Sequence, residues 1–171
     1  WAGIFQQGPA EDAIRAEVAD AALARATALG ASYADIRINR YRRESIATRE
    51  RQVQNVSRST SYGLGLRVLV DGAWGFAATN RVEPGAAREA AEQAVAIARA
   101  NARLAARKVA LANADTVVTT WTSAFTRDPF EVPLDTKIAF LTKLNETALA
   151  VPGVGFVSSQ ILFVDERKFF A

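Results

Sequence analysis

The chain of 171 residues contains no cysteine, no histidine and no methionine. Without cysteine there is no disulfide framework, thiolate nucleophile or iron–sulfur cluster. Without histidine there is no Ser-His-Asp triad, imidazole base or His-ligated zinc. An ordinary hydrolytic centre is therefore not expected within residues 1–171. No apolar run approaches the roughly 18 residues of a bilayer-spanning helix, so a soluble chain without a membrane partner is expected. The chain opens on Trp1, so residues ahead of it are expected to have been removed. The segment Trp1–Gly8 lacks the basic start of a signal peptide.

What is present is half apolar, with 21 Lys and Arg against 18 Asp and Glu, a formal charge of +3. A chain of this size buries roughly two-thirds of its unfolded surface and sustains its own core. The slight basic excess does not by itself imply nucleic acid.

Pro9, acidic Glu11 and Asp12, and Gly30 frame a helix over 9–29, with Ile14, Val18, Ala22, Ala26 and Leu29 inward. From Tyr33 to Asn80 alternation and β-branched residues take over, predicting strands near 34–41, 44–50, 52–62, 64–70 and 73–79. Val70-Asp71-Gly72-Ala73 reads as a two-residue hairpin turn. Gly63 and Gly65 predict a bend, and the odd spacing of Val53 and Val56 a bulge. Pro84 opens a second helix over 84–107, with Ala87, Ala91, Ala94, Val95, Ala98 and Ala102 inward. A less regular stretch follows, with a strand at 117–121 and a turn at Asp128-Pro129. A third helix is expected over 134–151, with Ile138, Leu141, Leu144 and Ala148 inward. A strand over 154–164 and the opening of another at 168–171 follow it.

This order predicts an α+β fold: a multi-stranded, largely antiparallel sheet flanked by two Ala-rich helices, then the start of a second α+β unit. The expected divisions are a domain over 1–112, a linker over 113–133 and a truncated second domain over 134–171.

Little in the chain reads as chemistry. The run Gly63-Leu-Gly-Leu-Arg-Val68 leads into a strand, whereas phosphate loops lead into a helix N-terminus. The carboxylates Glu11/Asp12, Glu89/Glu92 and Asp165/Glu166 stand where helix starts, helix faces and turns ordinarily place them. Lys108, Lys137, Lys143 and Lys168 read as solvent-facing, which leaves no Ser–Lys pair. Trp74, Phe76, Trp121 and Phe125 read as core. The main polar feature lies between Tyr33 and Tyr62, where seven arginines face three carboxylates. Arg42, Arg43, Arg49 and Arg51 are the candidates there for binding a peptide or partner. The competing reading is a solvated sheet face whose charges discourage edge aggregation.

The ordered run Tyr33-Ala-Asp-Ile-Arg37, Glu44-Ser-Ile46, Val53-Gln-Asn-Val56 and Gly63-Leu-Gly-Leu-Arg-Val-Leu-Val-Asp-Gly-Ala-Trp-Gly-Phe-Ala-Ala-Thr-Asn80 resembles the N-terminal domain of the TldD/PmbA family. The resemblance continues through Asp128-Pro-Phe-Glu-Val-Pro133 and Phe163-Val-Asp-Glu-Arg-Lys-Phe-Phe-Ala171. These proteins are often labelled modulators of DNA gyrase, and the TldD branch is regarded as metalloprotease. The resemblance implies a non-catalytic N-terminal part of a protease acting on peptides or unfolded segments, shaping substrate chamber and dimer. The family's HExxxH-type motif lies in the C-terminal half, and nothing here matches it. No catalytic or metal residue is carried over, no cofactor is expected in this chain, and zinc is expected in the missing half of a TldD-branch protein. The resemblance further implies a homodimer or heterodimer with a family member. A cytoplasmic location is expected, with an exported form as the alternative because the native N-terminus is missing. The alternatives are a PmbA-like non-catalytic partner, or a module binding nucleic acid or a topoisomerase. Nucleic acid is the less favoured, because Tyr41 and Tyr62 are too few to form a stacking platform.

Overall fold

The computed structural model describes residues 9–112, 115–121 and 126–171. Along the chain run α1 (Pro9–Ala28), β1 (Tyr33–Arg49), β2 (Gln52–Val70), β3 (Ala73–Thr79), α2 (Pro84–Ala102), β4 (Thr119–Trp121), α3 (Leu134–Leu149) and β5 (Ser158–Phe170). The five strands form one sheet in the order β3-β2-β1-β5-β4. β2 pairs antiparallel with β3, and β4 with β5. Ile36 and Ala171 exchange backbone hydrogen bonds of 2.9 and 3.2 Å, the signature of an antiparallel pair. The α+β class read from the sequence is thus the fold observed.

The chain divides into two compact units. Unit 1 comprises 1–40, 62–121 and 167–171; unit 2 comprises 41–61 and 122–166. β1, β2 and β5 each supply residues to both.

In unit 1, α1 and α2 pack through small side chains. Val18, Ala22 and Ala26 of α1 and Ala87, Ala91, Ala94, Val95 and Ala98 of α2 are buried with Ile36, Ile38, Leu66, Val68 and Phe169 of the sheet. Alanine lets helix backbones come close while keeping helix propensity high. Ile14, expected inward, is exposed. Arg15 is buried instead, bonded to Glu11 at 2.9 Å and Asp12 at 3.1 Å, so an ion-paired guanidinium takes the place of the aliphatic group.

Several expected boundaries shift for identifiable reasons. β1 and β2 each run unbroken where two strands were expected, since nothing at 42–43 interrupts pairing and the glycines stay within β2. Gly63 serves close approach: a Cβ there would lie 2.8 Å from the Thr79 carbonyl oxygen. α2 stops at Ala102, short of residue 107. Asn101 gives its side-chain amide to the Trp74 carbonyl at 2.9 Å, and the chain beyond turns to place the Val109 N–H on the Gly72 carbonyl at 2.8 Å. β4 begins at Thr119, where its pairing with Phe170 starts. Phe76 is exposed, set over Gly65 on the outer face, and Trp74 is half-buried edge-on to Tyr33 at 5.8 Å. Phe125 and the side chain of Trp121 lie outside the described residues.

The Asp71-Gly72 turn is as expected. Both residues have positive φ, 52° and 79°, and Val70 pairs with Ala73. A Cβ at Gly72 would also lie 2.6 Å from Lys108 Cβ. Gly72→Val is expected to lower stability by more than the ~1 kcal/mol of the backbone conformation alone, because strain and collision add. A thermal melt within error of wild type would show that the turn tolerates both.

In unit 2, α3 covers part of the sheet with an unexpected face. Lys137, Leu141 and Asn145, spaced four apart, are its buried residues, while Leu144 and Phe140 are exposed. The cause lies on β1, where Glu44, Ile46 and Thr48 are the buried set. A strand face that presents a carboxylate and a hydroxyl is matched by a helix face with an ammonium and an amide.

Candidate functional site

The alternation of β1 places Arg42, Glu44, Ile46 and Thr48 on one face, and Tyr41, Arg43, Ser45 and Arg49 on the other. On the covered face Glu44 accepts hydrogen bonds from Lys137 Nζ and Arg58 Nε, both at 2.5 Å. The Glu44 and Lys137 side chains are 2% and 4% exposed, so this is an ion pair out of solvent. Burial works to raise the Glu44 carboxyl, but the hydrogen bonds from Lys137 and Arg58 outweigh it and hold the group below its ordinary value. Lys137 Nζ also sits 4.8 Å from the centre of the Phe163 ring.

Beside it, Asn145 donates to Thr48 Oγ1 at 3.1 Å and to the Glu50 carbonyl at 2.9 Å, and accepts from Ser159. Arg42 donates to Asp128 and Asp165, each at 3.0 Å, and stacks on Phe130 at 4.0 Å. Tyr41 donates to Glu166 at 2.5 Å.

The four arginine candidates therefore do not converge. Arg42 is committed to two aspartates. Arg43 and Arg49 are exposed and rest on Tyr41 and Phe156, at 4.8 and 4.7 Å. Arg51 is exposed in the turn between β1 and β2. Arg43, Arg49 and Arg51 lie at the solvated side of the hairpin.

Lys137 was expected in solvent and is buried instead. The sequence held a signal for this: Glu44 alternates with Ile46 and Thr48, and Lys137 keeps helical spacing with Leu141. In unit 1 the other buried carboxylate, Asp35, accepts from Arg67 at 2.7 Å. That hydrogen bond, with the Asp35 charge, raises the Arg67 guanidinium against the effect of burial. Both buried carboxylates are thus held by cations.

Among the described residues, no group of three or more His, Cys, Asp or Glu side chains could hold a metal ion. The donors present do not fit a peptidase zinc, which takes mostly nitrogen ligands. No helix among them is long and apolar enough to cross a membrane.

A five-stranded antiparallel sheet with Ala-rich helices and ion-paired buried carboxylates defines an α+β scaffold. Residues 34–98 match the family model described as PmbA/TldA metallopeptidase domain 1, which bears out the TldD/PmbA resemblance. Three solved structures share the fold. A proposed modulator of a DNA gyrase from Thermotoga maritima is 15% identical, with TM-score 0.57 over 81% of this chain and 30% of its own. A second, from Bacteroides thetaiotaomicron, is 17% identical, with TM-score 0.60 over 95% of this chain and 36% of its own. TldE from Thermococcus kodakarensis is 16% identical, with TM-score 0.57 over 85% of this chain and 33% of its own. The chain thus spans about a third of the length of each. No curated protein matches the sequence.

Proposed function

We propose that this chain is the non-catalytic N-terminal part of a TldD/PmbA-type metallopeptidase, positioning peptides or unfolded segments rather than cleaving them. The observation that carries this reading is the Glu44–Lys137 pair. A carboxyl acid must hold a proton at neutral pH. Here the hydrogen bonds from Lys137 and Arg58 outweigh burial and keep the Glu44 carboxyl in its charged form, so it is not poised to act as an acid. The same reading includes a cytoplasmic location and a homodimer or heterodimer with a family member, with zinc held by residues outside this sequence. A PmbA-like partner subunit is compatible with the same geometry.

Calorimetric titration with zinc, beside a quenched-peptide assay, tests the proposal. The chain is expected to show neither tight zinc binding nor turnover. Stoichiometric submicromolar zinc binding, or chelator-sensitive cleavage free of contaminating protease, would place the chemistry in this chain and overturn it.

A further inference from the structure

The last turn of α2 and the turn between β2 and β3 enclose a cleft of about 310 Å³, lined by Asp71, Arg99, Ala102, Arg103 and Lys108. All five residues belong to unit 1, and its own hydrogen bonds tie the two walls together. The Asn101 side-chain amide donates to the Trp74 carbonyl at 2.9 Å, and the Val109 N–H donates to the Gly72 carbonyl at 2.8 Å. Asp71 is held in the positive-φ turn, and the stem of Lys108 lies against Gly72. The charged groups are thus set on a braced frame.

Their charges do not cancel. Arg99 gives a guanidinium nitrogen to the Leu29 carbonyl at 2.7 Å, closing the end of α1. Among the described residues, Asp71, Arg103 and Lys108 form no ion pair, although all three line one cleft. α2 ends here with about half a negative charge, less than either Arg103 or Lys108 brings.

We infer that this cleft binds a phosphomonoester carrying a neighbouring hydroxyl group, the chemistry of a phosphorylated polyol. Such a group bears a charge of about −2 at neutral pH, which Arg103 and Lys108 together balance. The guanidinium offers a planar fork to two phosphate oxygens, and the ammonium a point charge to the third. Asp71 is left to accept from the hydroxyl. The volume lies at the lower bound of small-molecule sites, which suits a phosphate with a few carbons. Ala102 is the only apolar residue of the lining, so a nucleobase or acyl chain has nothing to pack against. This site is separate from the peptide-holding role proposed above.

The test is a titration of the nitrogen-labelled chain, followed by amide chemical shifts at constant ionic strength. Glycerol 3-phosphate is expected to bind with a Kd of about 1 mM or tighter, shifting amides at 71–72 and 99–109. Ethyl phosphate, which lacks the hydroxyls, is expected to bind several-fold more weakly, and glycerol not at all. Arg103→Gln and Lys108→Gln should each lower the affinity for glycerol 3-phosphate about tenfold without moving the melting temperature. Asp71→Gly, which the positive-φ turn accepts, should abolish the preference for glycerol 3-phosphate over ethyl phosphate. Arg88→Gln, exposed on α2 outside the cleft, should change nothing. No binding at about ten times the expected Kd would overturn the inference. So would equal binding of the two phosphates, an Arg88→Gln loss matching that of Arg103→Gln, or shifts spread over the basic surface. None of these results bears on zinc or cleavage, so failure here leaves the non-catalytic reading to its own test.

Discussion

Lys137→Met is expected to lower the unfolding free energy by about 3 kcal/mol at neutral pH, the cost of leaving a buried carboxylate without its buried partner. Arg58 remains on Glu44, but its side chain is 59% exposed and its charge is largely solvated. Glu44→Leu combined with Lys137→Met is expected to recover most of the loss, because an apolar pair of similar volume avoids the desolvation penalty. The pH dependence has a definite sign. The folded Glu44 carboxyl lies below its ordinary value of 4.5, so its stabilising contribution is complete above that pH. It disappears as pH falls through the lower folded value. The deficit of Lys137→Met should therefore be largest near neutrality and narrow in acid. Urea unfolding of wild type, single and double variants at about pH 7 and about pH 3.5 reads this directly. A single-variant loss under about 1 kcal/mol would mean that the pair is not structural.

Gly75→Ala is the second large effect. β3 lies so close to α2 that a Cβ at Gly75 would fall 2.0 Å from the Ala94 carbonyl oxygen and 2.7 Å from the Ala98 nitrogen. These are backbone atoms inside a helix and cannot swing aside. The strand must move off the helix, with a cost of about 3 kcal/mol or failure to fold. Gly85→Ala is the control: nothing lies within 4 Å of its Cβ position, and alanine favours the first turn of α2. It should match wild type or exceed it slightly. A Gly75→Ala melt equal to that of Gly85→Ala would show that strand and helix separate at little cost.

The sequence announces some of this and hides the rest for physical reasons. Helix α2 was readable residue by residue, because Ala87, Ala91, Ala94, Val95 and Ala98 follow a single period and are all buried. The Asp71-Gly72 hairpin was readable because few sequences accept positive φ at consecutive positions. α3 was misread at Leu144 and Lys137 because hydrophobicity was taken as the measure of inwardness. Its buried face answers a polar strand face more than 90 residues earlier, and no local window contains both halves of that match. The same holds for Arg42, whose aspartate partners lie 86 and 123 residues away. The exposed Arg43, Arg49 and Arg51 were legible as a charged surface. The order of the strands beside them was not, since it is a property of the assembled sheet.

Phe169 belongs to the core of unit 1, and Ile36 closes its backbone bonds only with Ala171. A ribosome adds roughly 5–20 residues each second, so β1 emerges many seconds before the strand that pairs with that edge. Until then the early-made helices and hairpins have a core lacking its late aromatic residue and a strand lacking a neighbour. Pairing over so long a separation is slow because the loop must close before the contacts reward it. Any truncation that ends before Phe169 is therefore expected to yield inclusion bodies rather than a smaller soluble domain.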